Sequence, residues 1–164
     1  MSHLTDRSAF PVGEDIDYES EEEVAGLKAL EDRAWDYLAT YRWSPPIASL
    51  VLAFGVAPIL ALFLVRREPG GKPEDAERWI VVGDGPSMHF ETDDTPTPAL
   101  ALRMYCAIAQ DWWECVLEGR DLSDSYPIPV APTREHAEML RGRVGFIRKE
   151  LIPLAHDATA PGER

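Results

Sequence analysis

Basic residues are scarce in this chain. Sixteen lysines and arginines stand against 29 aspartates and glutamates, giving a formal charge of −13 over 164 residues. Such a field repels phosphate and sets aside general nucleic-acid binding. Cysteine is scarcer still, with Cys106 and Cys115 alone. On one predicted helix these two face opposite sides, ~13 Å apart along the axis, too far to bridge. No secretion signal is recognised, because the 46 residues ahead of the first apolar run include many acids. A reducing cytoplasm is the expected setting, with both thiols as small core fillers. Catalytic signatures are also missing. There is no G-K-[ST] phosphate loop, no G-x-G-x-x-G, no G-x-S-x-G or S-x-x-K nucleophile, and no P-C-x-x-C partner for His89-Phe90-Glu91. No cofactor is expected.

Long uncharged stretches are limited to one, residues 47–65, closed by Arg66-Arg67. Its length is near the ~20 residues that a membrane span needs. Gly55 and Ala57-Pro58 divide it, however, and proline disfavours helix both at its own position and at the one before. Beyond it a Gly/Pro cluster, 68–73, leads to a second apolar burst, Trp79-Ile80-Val81-Val82. Two apolar runs around such a loop predict a hairpin and no membrane span. The first half, 47–55, reads as a short buried Leu/Ala-rich helix stopped by Gly55.

The remaining elements follow from periodicity and caps. Residues 1–19 form an acidic arm of little periodicity; 1–36 carry a net −8. Ser20 with Glu23 has the capping-box pattern, and Val24, Leu27, Leu30, Ala34, Leu38 and Tyr41 recur at helical spacing behind it. Strands are expected at 57–67, 78–82 and 87–92. The first two are apolar on both faces, which implies cover on each side. The third alternates, with Met88 and Phe90 opposed to His89 and Glu91. Thr97-Pro98 opens a helix that Gly119 ends, and Thr133 opens the last one, with Ala137, Leu140, Val144, Ile147 and Leu151 as its stripe and Pro153 as its stop. Residues 126–130 cross in extended form, and 156–164 read as a tail. The expected fold is α+β: a three-stranded antiparallel meander packed by α-helices in a single domain over 20–155.

Phe63-Leu64-Val65-Arg66-Arg67 followed by Trp79-Ile80-Val81-Val82-Gly83-Asp84-Gly85-Pro86-Ser87 resembles the strand–loop–strand core of a small bacterial family without assigned activity. The segments 97–102, 126–130 and 138–140 share the resemblance, which spans about residues 43–153. It departs from the family pattern at Gly85, where a larger aliphatic residue is usual, and at His89, where an aromatic one is. The resemblance implies a soluble protein and supplies no mechanism.

Three groups of residues are candidates for function. His89, Glu91 and Asp93 alternate along one strand face, a His-plus-carboxylate set of metal-ligating type; residues two apart on a strand lie ~6.5 Å apart and seldom converge on one ion, and an exposed polar edge has the same composition. The Gly83–Pro86 segment reads as a tight turn whose Asp84 braces it or lines a cleft with His89 or Asp94. In Asp111-Trp112-Trp113-Glu114, with Trp112 in the helix stripe, Trp113 falls at its border; a partly exposed tryptophan beside acids suits a protein partner, and Trp113 equally suits packing on a neighbouring helix or across a homodimer. The leading expectation is a non-catalytic, immunity-like interaction protein whose acidic surface meets a basic partner. The alternative is a small metal-dependent hydrolase using Asp84, His89, Glu91 and Asp93.

Overall fold

The computed structural model describes residues 21–156; the acidic arm, the Ser20 cap and the tail beyond His156 lie outside them. The apolar run folds back on itself as a hairpin. Strand β1 (Ile47–Val56) pairs antiparallel with β2 (Leu60–Arg67). The turn between them is closed by the Ile59 N–H on the Val56 carbonyl at 2.7 Å, and Pro58, with no N–H to give a ladder, marks the end of the first strand. Strand β3 (Glu77–Gly83) and β4 (Met88–Glu91) complete an antiparallel meander in the order β1-β2-β3-β4. The sheet thus has four strands where the sequence predicts three, because 47–55 is a strand and not a helix. No helix among the described residues is long and apolar enough to cross a membrane.

Helices cover both faces of the sheet. Helix α1 (Glu21–Leu38) lays Leu27, Leu30, Ala34 and Leu38 against Leu50, Leu52, Phe63, Val65, Ile80 and Val82. The opposite face carries Val51, Leu62, Leu64, Trp79, Val81, Met88 and Phe90 beneath α2 (Pro98–Glu118) and α3 (Arg134–Phe146). A register shift between Leu52 and Phe54 places Ala53 and Phe54 together on this second face. Both predicted caps form: the Thr97 hydroxyl accepts the Leu100 N–H and the Thr133 hydroxyl that of His136, each at 3.2 Å. Gly119 closes α2 in the left-handed conformation, φ 69°.

The last helix runs past its predicted stop. After Phe146 the chain makes a π turn (Ile147–Leu151) and continues as α4 (Ile152–Ala155). The widened turn sits directly ahead of Pro153, which has no N–H for the Lys149 carbonyl four residues back. Residues 134–155 therefore form one helical rod with Ala137, Leu140, Val144, Ile147, Leu151 and Ala155 buried along it.

Candidate functional site

At the end of the sheet where β1 turns into β2, the link between β3 and β4 forms one wall of a groove. A Cβ at Gly83 would stand 2.2 Å from the Ile59 carbonyl oxygen, and φ there is +152°, so this position is built for glycine. The next N–H, that of Asp84, donates to the same Ile59 carbonyl at 2.9 Å. A Cβ at Gly85 would lie 2.5 Å from the Tyr105 hydroxyl, which donates to the Pro86 carbonyl at 2.8 Å. Burial holds the Tyr105 phenol above its ordinary pKa, so it stays a donor. The opposite wall is α3, through Met139, Gly142, Arg143 and Phe146, and the groove encloses about 460 Å³. It adjoins a smaller hollow of about 180 Å³ bounded by Ile128, Pro129, Val130 and His136.

Of the expected cleft set, Asp84 alone lines this groove. Asp94 is exposed on the loop after β4. His89 points to the other face of the sheet, opposite Ile80 in the ladder, and is held in an aromatic nest. The rings of Tyr41, Trp43 and Tyr37 stand 4.7, 5.4 and 6.0 Å from its own. Its Nδ1 accepts the Arg78 Nε–H at 2.9 Å, and the Tyr126 hydroxyl braces its backbone, accepting the His89 N–H at 3.1 Å. Burial first, then the Arg78 charge, lowers the His89 pKa to about 4. This histidine is a structural neutral acceptor. Its folded pKa lies below the unfolded value of ~6.5, so its contribution is complete above that pH and is lost as pH falls from there toward 4. Because the ring is only half-buried, the swing is discounted for solvent to about 1–2 kcal/mol. Urea melts at neutral and mildly acid pH should show His89→Gln losing less stability on acidification than the wild type, by about that amount. Equal losses in the two proteins would remove His89 from the acid response.

Glu91 and Asp93 are exposed, and among the described residues no three His, Cys, Asp or Glu side chains are grouped to hold a metal ion. The His/Asp/Glu set proposed from the sequence is thus not assembled: its histidine is committed to Arg78, and Asp84 stands at the groove instead. Both cysteines are free and buried, and burial raises the Cys106 thiol to about 11, away from nucleophile chemistry.

Trp113 takes the packing alternative, against a neighbouring helix, and does not face solvent. It is 6% exposed and belongs to the core under α2, because the rod crosses the border of the stripe and covers it. Its neighbours have local tasks. The Asp111 carboxylate accepts the Ser125 hydroxyl at 2.8 Å, and Glu114 accepts the Gln110 amide at 2.8 Å. Trp113 and Glu114 line a second groove of about 470 Å³ between α2 and the rod, with Arg141 and Arg148 on its far side. Arg148 donates to the Gln110 side-chain oxygen at 2.7 Å across it.

The surface residues that sequence reasoning missed are Met139 and Phe146, 46% and 43% exposed, and Leu154, 54% exposed. Their signal is present in the sequence: all three are large, apolar and off the stripe that buries the rod. Comparison of the chain with protein-family models, with curated proteins and with solved structures gave no match.

Proposed function

We propose that this chain is a non-catalytic protein-interaction module that binds through the outer face of its C-terminal rod. The observation that carries this reading is the line of Met139, Phe146 and Leu154, each more than 40% exposed on a helix whose other face is fully packed. Large apolar side chains held in water next to a groove favour a protein surface that covers them. The candidate carboxylates support the same reading, since Glu91, Asp93 and Asp94 face solvent without a common focus. The charge of −13 lies outside the net-positive rod and supports basic groups on any unlike partner that reaches beyond the rod, as for an immunity-like protein, and the two free buried cysteines support a reducing, cytoplasmic setting. The resemblance of 63–67 and 79–87 to a bacterial family of unassigned activity fits this role and adds no chemistry.

A photoreactive residue placed at position 146, and in a second protein at position 113, tests the reading in lysate of the native host. Covalent adducts to protein are expected from position 146 and not from 113. Adducts at 113 alone, or at neither position, would refute a docking role for the rod face.

A further inference from the structure

We infer that the rod face is the contact between two copies of this chain, packed as an antiparallel helix pair about a two-fold axis near Phe146. The inference rests on the docking role proposed above and names its occupant.

The first argument is alignment. Met139 and Phe146 are seven residues apart, close to two turns at ~3.6 residues per turn. Phe146 and Leu154 are eight apart, which would drift around an ideal α-helix. The π turn at Ile147–Leu151 lies between them and takes up ~4.4 residues in one turn, so eight residues again make two turns. The three side chains therefore share one line on the rod while the buried stripe keeps its own. Gly142 lies on that line between Met139 and Phe146, and a Cβ there would meet nothing within 4 Å. No described residue explains glycine at this helical position, where it weakens the helix relative to alanine. A second helix approaching closely at that point does.

The second argument is charge. Over 134–151 the rod carries Arg134, Arg141, Arg143, Arg148 and Lys149 against Glu135, Glu138 and Glu150, a net positive segment in a chain of −13. Two strongly acidic copies meet there with less repulsion than across a surface of the chain's average charge. An axis between Phe146 and Ile147 sets Met139 level with Leu154 of the second copy, and Glu150 level with Arg143 of the second copy, on either side of the apolar line and within reach of these long side chains. By symmetry each pair occurs twice, which makes the face complementary to itself. Arg143 and Glu150 are both exposed, and among the described residues neither forms an ion pair.

Sedimentation velocity of the full chain, from about 1 to 100 µM, reads the outcome. A concentration-dependent dimer is expected. Phe146→Glu should raise its dissociation constant at least about 100-fold. Arg143→Glu and Glu150→Arg should each raise it about tenfold, by setting like charges face to face twice. The double variant Arg143→Glu/Glu150→Arg restores opposite charges and should return to within about threefold of the wild type. Far-UV dichroism and thermal melts check that each variant is folded. A chain monomeric throughout, or a dimer indifferent to these substitutions, would overturn the inference; a dimer broken by Phe146→Glu but not rescued by the double variant would overturn its antiparallel register. Crosslinking from position 146 to an unlike protein, with a monomeric chain, would leave the docking role standing and remove the second copy.

Discussion

Gly83→Ala is expected to lower stability by about 3 kcal/mol, among the largest single-residue losses in this chain. Two costs add at this position. The backbone is at φ +152°, where a side chain is strained, and the new methyl group would sit 2.2 Å from the Ile59 carbonyl oxygen and 2.8 Å from the Leu60 Cα. Both of those atoms are backbone of the neighbouring turn and strand and have no rotamer by which to yield. Relief requires separating Leu60 from Gly83, the terminal pair of the β2–β3 ladder. The Asp84 N–H bond to the Ile59 carbonyl, at 2.9 Å, and the Arg33 guanidinium bond to the Gly83 carbonyl, also at 2.9 Å, are lost in the same movement. Urea unfolding followed by tryptophan fluorescence gives the change in midpoint. A loss under about 1 kcal/mol would show that the turn shifts cheaply and that the groove wall is soft. The substitution also separates stability from binding: the rod face lies on the other wall, so a folded Gly83→Ala protein should still self-associate.

Trp79→Ala should cost about 3–5 kcal/mol, and Trp79→Phe about 1–3 kcal/mol. Trp79 is 1% exposed and sits in the second-face core, between Leu64 and Phe90 in the ladder. Its indole N–H donates to the Thr95 carbonyl at 2.7 Å, and Thr95 is itself 3% exposed. Alanine removes the ring and leaves a cavity; phenylalanine keeps most of the volume but leaves a buried carbonyl without its donor. That carbonyl belongs to the loop that delivers Thr97 to the start of α2. Loosening it should therefore appear at the helix start, as faster amide exchange at residues 99–101, before global unfolding. The order of the two variants is the test. Equal costs would mean that the indole bond carries the loss and the ring volume adds little; a Trp79→Phe cost near zero would mean that the bond contributes nothing and that the ring acts by volume alone.

Much of this architecture is legible in the residues themselves. Threonine and glycine at helix ends, with apolar stripes at 3.6 spacing, locate α1, α2 and α3 within a few residues. The alternation of Met88, His89, Phe90 and Glu91 assigns β4 its two faces. The reading of 47–55 as a helix fails for a physical reason. A strand covered on both sides has no polar face, so its periodicity vanishes and it reads like a buried helix of the same length. The Leu/Ala content favours the helix locally, and pairing with β2 overrides it. Trp113 stays open between partner and packing for a related reason: position on α2 alone sets it at the border of the stripe, and only the rod laid across that border buries it.

The candidate site follows the same division. Gly83 and Asp84 are identifiable as a turn, yet which helix faces that turn is a tertiary matter, and the facing helix supplies Met139, Arg143 and Phe146. His89 looks like a ligand beside Glu91 and Asp93; the fold turns it into an acceptor for Arg78 inside a ring of aromatics gathered from the end of α1, the following loop and the 126–130 crossing. By itself the sequence determined α1, α2 and the start of α3, the break at Pro58, the strong negative charge and the absence of a catalytic signature, because each depends on neighbours in the chain. The tertiary structure decided the fourth strand, the burial of Trp113 and the exposed line on the rod, because burial is a property of the whole packing and no local window of residues contains it.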